Sequence, residues 1–256
     1  MKIIVGDEFG LIKCVDAQKK LISSKHGEMR KQNGVISITN LFENSNDTLA
    51  VAHEQNFYIL DWATKITKSE PLEKLKDKTF YTSQIVKRTI DFSSVILARN
   101  DNFINLIQYD DDIKVKSNTS LEIKTKKLQA IKDSNITQEF FCLFKDTPIS
   151  IYSLDRNEIT WKAKNLPNDE FDLQIPIYDI DVANSKTNPY QFYTATAFGE
   201  IRSYDRKIKP RPVHDKKIFD RKINRMVMSN CENYLTIGDI LGNIFMLDKR
   251  KSNILL

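Results

Sequence analysis

The stretch LTIGDILGNIFMLD, Leu235 to Asp248, contains the pattern on which the fold prediction rests. An apolar run leads into a turn around Gly242, and a second apolar segment follows and closes with an aspartate. Apolar and β-branched residues on both sides of such a turn are typical of two antiparallel strands joined as a hairpin. The stretch therefore predicts a β-hairpin that ends at Asp248.

The same pattern recurs along the chain. Its copies end at Asp16, Asp61, Asp110, Asp155, Asp205 and Asp248, which lie 43 to 50 residues apart. From the second copy onward, another short apolar run precedes the hairpin. These runs are Val35–Ile38, Thr79–Val86, Leu128–Ile131, Ile177–Val182 and Ile223–Met228. Because apolar residues recur at every second position and no long helical stripe is present, we predict an all-β protein.

A repeat of about 40–45 residues with four short strands is the sequence mark of a WD-type β-propeller blade. One such unit cannot bury both faces of its sheet, so neighbouring units must stack around an axis. We predict a single WD-repeat β-propeller domain over residues 1–256 with about six blades. The first unit has strands at Ile3–Val5, Leu11–Asp16 and Lys19–Ser23 and lacks its first strand. Since the sequence stops soon after the sixth hairpin, we expect either a smaller ring or a last blade missing from this sequence.

Composition narrows the class of function. The chain has 256 residues, a net charge of +5 and three widely spaced cysteines, Cys14, Cys142 and Cys231. An odd cysteine count without a CxxC pair favours a reducing compartment. No apolar run approaches the ~18 residues of a membrane span, and the three histidines lack metal-ligand spacing. We expect a soluble intracellular protein with no metal, no cofactor, no membrane association and no small-molecule substrate.

The stretch WKAKNLPNDEFDLQIPIYDIDV, Trp161 to Val182, is the first candidate site. Lysines precede a polar turn, and carboxylates interleaved with apolar residues follow it, which is typical of a surface loop that binds a partner. An ordinary connector leading into a strand is the alternative interpretation. The candidate partner-binding residues are Lys162, Lys164, Asn165, Asn168, Asp169, Asp172, Leu173, Pro176, Tyr178 and Asp179.

The second candidate site is basic. Between Arg206 and Arg225, nine lysines and arginines are opposed only by Asp215 and Asp220, and such density is expected where a protein contacts a phosphate backbone. The segment links two hairpins, so we expect much of it on one rim of the ring. The RNA-binding candidates are Arg206, Lys207, Lys209, Arg211, Lys216 and Lys217.

A further lysine run occupies the corresponding link two units earlier. Its members are Lys114, Lys116, Lys124, Lys126, Lys127 and Lys132. Solvated surface charge is the alternative interpretation of both basic runs, because no aromatic stacking pattern accompanies them.

The Trp161–Val182 stretch resembles a segment of the nucleolar WD-repeat proteins that assemble the large ribosomal subunit, the Nsa-type biogenesis factors. Phe171 and Tyr178 replace a leucine and a tryptophan of the family pattern. The hairpin stretches IIVGDEFGLIKCVD, RSYDRKIKPRPVHD and TIGDILGNIFMLDKRK are similar to hairpins of the same family. The residues that match the segment, in order, are Ala163, Lys164, Asn165, Asn168, Asp169, Asp172, Leu173, Pro176, Ile177 and Asp179.

The resemblance implies a seven-bladed propeller that serves as a scaffold on nucleolar pre-large-subunit particles, where it binds ribosome-assembly proteins and pre-rRNA. It also implies release by an AAA-type remodelling ATPase. We expect the seventh blade and the family's lysine-rich C-terminal tail to be missing from this sequence. The prediction is thus a non-enzymatic ribosome-biogenesis factor of the nucleus and nucleolus. The alternatives are a WD-repeat adaptor in another intracellular complex, or a propeller hydrolase that uses the acidic cluster Asp169–Asp181.

Overall fold

The computed structural model describes residues 2–29, 35–42, 45–53, 57–64, 66–67, 82–87, 94–99, 103–109, 115–123, 128–136, 138–250 and 253–255. All regular secondary structure in these ranges is β-strand, so the prediction of an all-β protein is confirmed. Within the same ranges no helix has the length and apolarity needed to cross a membrane.

The chain divides into two compact units, residues 1–125 and 126–256, and each is described by itself. The first unit contains three antiparallel sheets. The first sheet consists of β1 (Lys2–Gly6), β2 (Ile12–Asp16) and β3 (Leu21–His26). The second consists of β4 (Val35–Phe42), β5 (Ser45–His53), β6 (Phe57–Asp61) and β7 (Ile66–Thr67). The third consists of β8 (Thr82–Lys87), β9 (Ser94–Arg99), β10 (Phe103–Tyr109) and β11 (Val115–Glu122).

The second unit also contains three antiparallel sheets. Its first sheet consists of β12 (Leu128–Asp133), β13 (Glu139–Phe144), β14 (Thr147–Ser153) and β15 (Glu158–Lys162). The next consists of β16 (Asp179–Asn184), β17 (Gln191–Thr196), β18 (Glu200–Asp205) and β19 (Lys209–Lys217). The last consists of β20 (Ile223–Met228), β21 (Tyr234–Asp239), β22 (Ile244–Asp248) and β23 (Asn253–Leu255).

Within each sheet, strands that follow one another in the chain are hydrogen-bonded neighbours. Among the described residues, five sheets have four strands, and the N-terminal sheet has three, without the strand that precedes the hairpin in the other sheets. The three-stranded first sheet agrees with the sequence pattern. Its last strand begins at Leu21 rather than at Lys19, because the preceding turn continues through Lys20, whose φ is +53°.

The repeated aspartates cap the turn between the last two strands of a sheet. In four of them, Oδ1 accepts a hydrogen bond at 2.9–3.0 Å from the N–H two residues later. These four are Asp16, Asp61, Asp205 and Asp248. An aspartate that accepts a hydrogen bond from the backbone two residues on is a standard turn former, which explains why these four copies of the repeat close with this residue type.

Adjacent sheets of the second unit pack face to face. Aromatic rings fill the space between β12–β15 and β16–β19: the ring centroids of Phe141 and Phe192 are 4.7 Å apart, and Phe192 stacks on Tyr204 at 5.0 Å. Trp161 meets Phe192 edge to face at 5.7 Å. Aliphatic residues, including Ile223 and Ile237, fill the next layer. Since each small sheet buries a face only against its neighbour, stability depends on this stacking.

Candidate functional site

Residues 163–178, here called the connector, join the edge strand β15 to β16. The first residue of the connector is held by a backbone hydrogen bond: Ala163 N–H donates to Ile149 O at 2.9 Å. Lys164 N–H donates to Pro210 O at 2.9 Å, so the chain crosses to the edge strand of the next sheet. The connector and β19, which sequence analysis assigned to different binding sites, are therefore neighbours.

A five-residue turn, Asp169–Leu173, lies within the connector. Asp169 Oδ1 accepts hydrogen bonds from the N–H groups of Phe171 and Leu173, both at 2.9 Å. Asp169 N–H donates to Leu173 O at 3.0 Å, and Asp172 has a φ of +60°. One carboxylate oxygen thus fixes two backbone groups of the turn, which restricts its conformation.

The same turn occurs between β1 and β2. There Asp7 Oδ1 accepts from the N–H groups of Phe9 and Leu11 at 3.0 and 2.8 Å, and Gly10 has a φ of +92°. The two sequences, DEFGL and DEFDL, differ only at the position with positive φ. The connector therefore contains a sheet-type hairpin turn in a segment that is not part of a sheet.

Two asparagines join the sides of the connector. Asn165 Nδ2 donates to Ile175 O at 2.7 Å, which links the residues before the turn with those after it. Asn168 Nδ2 donates to Asp172 Oδ1 at 2.8 Å. The first bond joins the segments that flank the turn, and the second lies at the turn itself, so the connector has side-chain support at two levels.

The held turn displays apolar side chains. Phe171 is 73% exposed and Leu173 is 63% exposed. Leu173 was among the predicted partner-binding residues, whereas Phe171 was missed. Its signal in the sequence was the match of DEFDL to the DEFGL turn at Asp7.

The remaining predicted docking residues differ in accessibility. Asn165 and Tyr178 are half-buried. Tyr178 accepts a hydrogen bond from Gln129 Nε2 at 3.3 Å, so its ring end contacts the preceding sheet. The exposed members are Lys162, Lys164, Asn168, Asp169, Asp172, Leu173 and Pro176.

Asp179 does not belong to this surface. It is 1% exposed, and its Oδ2 accepts a hydrogen bond from Ile149 N–H of the preceding sheet at 3.2 Å. Burial raises the pKa of Asp179, and the positive charge of Arg202 opposes that rise. The assignment of this side chain to partner docking is therefore corrected: it faces the core and joins two sheets.

Asp181 is also a core residue. It is 2% exposed, and its two oxygens reach both neighbouring sheets: Lys132 Nζ lies 3.1 Å from Oδ1, and Met226 N–H donates to Oδ2 at 2.9 Å. The acidic cluster of the sequence is thus divided between a surface turn and the core. In the part of the chain that the structure describes, no group of three or more His, Cys, Asp or Glu side chains could hold a metal ion.

The predicted RNA-binding residues lie on and beside β19, which is the edge strand of its sheet. Its pairing with β18 is irregular: Lys209 opposes Asp205 and His214 opposes Ser203, so residues 210–213 bulge away. Pro210 and Pro212 lie in the bulge and lack the N–H that a ladder needs. Because Pro210 lies in the bulge, its carbonyl oxygen can accept a hydrogen bond from Lys164 N–H.

The cations differ in their partners. Arg206 Nη1 lies 2.7 Å from Glu139 Oε2, and Lys217 Nζ lies 2.7 Å from Asp220 Oδ1. Lys207 Nζ lies 3.9 Å from the ring centroid of Tyr190, an aromatic contact that the sequence pattern did not indicate. The exposed members of the set are Lys207, Lys209, Arg211, Lys216 and Lys217.

Most of the other lysine run is outside the described residues. This applies to Lys114, Lys124, Lys126 and Lys127. Of the other two, Lys116 is exposed on β11, and Lys132 forms the ion pair with Asp181.

Fold and surface together define an all-β protein of small stacked sheets with an exposed turn and an adjoining basic edge. No family model matches the chain. It is 36% identical over 71 residues to ribosome biogenesis protein NSA1 of Meyerozyma guilliermondii, a match that covers 27% of this chain and 18% of that protein. It is 26% identical over 113 residues to WD repeat-containing protein 74 of Homo sapiens, covering 43% of this chain and 29% of that protein.

Ribosome biogenesis protein nsa1 of Schizosaccharomyces pombe is 20% identical over a 297-residue alignment that covers 100% of this chain and 74% of that protein. The resemblance inferred from the sequence is therefore confirmed, since curated relatives carry these names. The matches to the Meyerozyma and human relatives span less than a third of the length of either protein.

Proposed function

We propose that this protein is a non-catalytic scaffold in the assembly of the large ribosomal subunit. In this role the connector docks another assembly protein, and the basic edge beside it contacts pre-rRNA. The names of the relatives support a role in ribosome biogenesis. In this role the protein binds to a nucleolar pre-ribosomal particle. We also propose that an AAA-type ATPase releases it from that particle, because the family resemblance implies such a step.

The observation that carries the proposal is the exposed, immobilised turn at Asp169–Leu173. Phe171 and Leu173 are more than half exposed, although large apolar side chains are usually covered by a binding partner when they cluster. The turn is held by Asp169 and by the Asn165 amide, so little conformational entropy is lost when a partner binds. An aromatic anchor with a polar rim is the usual composition of an interface hot spot.

The six sheets support a propeller as the frame of the scaffold. We propose that each sheet is one blade of a WD-repeat ring. Hydrophobic clusters lie between successive sheets within each unit, which is the packing that blades require.

The acidic residues favour a scaffold over a hydrolase. A glycosidase needs two carboxylates that flank a substrate. Asp179 and Asp181 are buried and accept backbone N–H groups of neighbouring sheets, and Asp169 is used within its own turn. These contacts give each of the three carboxylates a structural role, so we assign none of these residues to catalysis.

Affinity purification of the full chain tests the proposal. In Phe171→Ser/Leu173→Ser we expect the retention of large-subunit assembly proteins and precursor rRNA to fall, because interface anchors contribute on the order of 2 kcal/mol or more. The matched control is Leu21→Ser/Ile66→Ser, which removes two comparably exposed apolar side chains from the other unit. Equal retention by both variants, or recovery of an unrelated stable complex with the unchanged protein, would refute the proposal.

A further inference from the structure

We propose that Lys162 and Lys164 belong to an RNA-binding strip and not to the protein-docking surface. The strip consists of these two lysines together with Lys209 and Arg211, and its ligand is the phosphodiester backbone of RNA. This inference rests on the proposed function, which it deepens by dividing the connector into a basic beginning and a protein-docking turn.

The backbone geometry brings the two groups of cations together. Lys164 N–H donates to Pro210 O at 2.9 Å, and Arg211 is the next residue after that carbonyl. Lys162 precedes Lys164 by two residues at the end of β15, and alternate residues of an extended chain lie about 7 Å apart on one side. Cations far apart in sequence therefore form one continuous group along the outer edges of two adjoining sheets.

The bulge in β19 turns this edge into a surface suited to a ligand. Residues 210–213 have no partner in the register with β18, so Arg211 lies in a bulge of the edge strand. Bulges of this kind commonly redirect a side chain. Because the bulge carbonyl of Pro210 accepts a hydrogen bond from Lys164 N–H, the backbones of Arg211 and Lys164 are held close together despite the like charges of their side chains.

The strip keeps its charge. Lys162, Lys164, Lys209 and Arg211 are all exposed, and none of them forms an ion pair with a carboxylate of the described residues. The acidic residue of the strand, Asp215, is used elsewhere: its Oδ1 lies 3.1 Å from Nε of the buried Arg202. Adjacent cations without counter-charges raise the local potential, which an anionic polymer relieves.

The chemistry of the strip favours a backbone ligand over base recognition. Residues 162–164 and 209–216 contain no Phe, Tyr or Trp, so the strip offers no platform on which bases could stack. Lysine and arginine provide donors for phosphate oxygens, which position a nucleic acid without reading its sequence. We therefore expect the strip to bind RNA with little sequence preference and strong salt dependence.

Fluorescence anisotropy with the full chain and two labelled probes, an oligouridylate and an RNA duplex, tests the inference. The variants are Lys162→Gln/Lys164→Gln and Lys209→Gln/Arg211→Gln, and the control Lys19→Gln/Lys25→Gln removes the same charge from exposed positions in β3 and in the turn before it. Each phosphate contact contributes about 0.7–0.9 to the slope of log affinity against log salt. We expect each strip variant to lower that slope by about 1.5 and to weaken binding on the order of tenfold near 100 mM salt. We expect the control to retain wild-type affinity and slope.

The outcomes separate this inference from the proposed function. If only Lys209→Gln/Arg211→Gln weakens RNA binding, the basic strand binds RNA as proposed but the inference about Lys162 and Lys164 is wrong. If the unchanged protein does not bind either probe, the RNA role in the proposed function fails along with the inference. Loss of assembly-protein retention in Lys162→Gln/Lys164→Gln, with RNA affinity unchanged, would return these lysines to the docking surface.

Discussion

The carboxylate of Asp169 holds the backbone of Leu173: Oδ1 accepts the Leu173 N–H at 2.9 Å, and Asp169 N–H donates to Leu173 O at 3.0 Å. These two residues therefore close the turn that carries the exposed Phe171. The position of the proposed protein anchor depends on a side chain that itself needs no contact with the partner.

The first prediction concerns this dependence. We expect Asp169→Ala to lower the free energy of unfolding by only about 1 kcal/mol, because its hydrogen bonds are solvent-exposed. We expect a much larger effect on docking, about tenfold weaker retention of assembly proteins, since a mobile turn must be ordered on binding. Urea unfolding and quantitative affinity purification measure the two effects.

The control for this variant is Asp7→Ala, which removes the equivalent carboxylate from the same type of turn in the first sheet. Asp7→Ala should lose more stability, because Asp7 Oδ2 also lies 2.6 Å from Lys13 Nζ, but only Asp169→Ala should lose docking. A similar loss of retention in both would mean that general destabilisation, and not the position of Phe171, controls assembly.

The features that local residues determine were predictable from the sequence. Alternating apolar residues and the closing aspartates specify strands and turns over a few positions, so the all-β class and the three-stranded first sheet followed from the pattern. The polar turn at Asn168–Asp169 was also visible. Phe171 was overlooked because an exposed aromatic residue in a strand-like run is indistinguishable from a core residue in one sequence.

Features that depend on distant contacts were not predicted. Asp179 lies in a stretch whose polar residues predict a surface loop, but its carboxylate accepts a hydrogen bond from the N–H of Ile149, which lies 30 residues earlier. Pro210, in the bulge at residues 210–213, accepts a hydrogen bond at its carbonyl from Lys164 N–H of the connector. In both cases the partner is distant in sequence, and the spacing of residue types does not contain that information.

A second prediction compares two glycines with positive φ. Gly199 has a φ of +80°, and a Cβ there would lie 2.0 Å from Phe219 O, whereas Gly242 has a φ of +85° and nothing within 4 Å of its Cβ position. Gly199→Ala should cost about 3 kcal/mol from backbone strain plus the clash. Gly242→Ala should cost only about 1–2 kcal/mol, from strain alone.

Urea midpoints of the two variants measure this difference. Equal destabilisation would indicate that the residues around Phe219 move aside at little cost in free energy. The close approach of the Phe219 carbonyl to Gly199 would then not contribute to the stability difference.

A third prediction separates a core phenylalanine from a surface one. Phe192 is fully buried among Phe141, Trp161 and Tyr204, so Phe192→Ala should lower the free energy of unfolding by about 3–5 kcal/mol. Phe171 is 73% exposed, so Phe171→Ala should change stability by less than about 0.5 kcal/mol. A large stability loss in Phe171→Ala would show that this side chain supports the fold of the free protein.

A fourth prediction concerns the pH dependence of stability at Asp179. Burial raises its pKa in the folded protein above the ordinary value of 3.8, despite the opposing charge of Arg202. At a pH between the ordinary pKa of 3.8 and the raised pKa of the folded protein, Asp179 is protonated in the folded state but ionised in the unfolded state. Stability should therefore decrease as pH rises from about 4 through the folded pKa of Asp179.

Asp179→Asn isolates this contribution, because the amide resembles the protonated carboxyl and does not titrate. Other carboxylates act in the opposite direction: Glu232, although burial alone would raise its pKa, has a lowered pKa owing to hydrogen bonds from Thr187, Ser185 and Lys186, so its contribution is lost as pH falls. Their effects cancel when the two proteins are compared. The free energy of unfolding of wild type minus that of Asp179→Asn, measured with urea across this pH range, should become more negative as pH rises. A difference that stays constant, or that changes with the opposite sign, would mean that the Ile149 N–H and Arg202 stabilise the ionised form more than burial disfavours it.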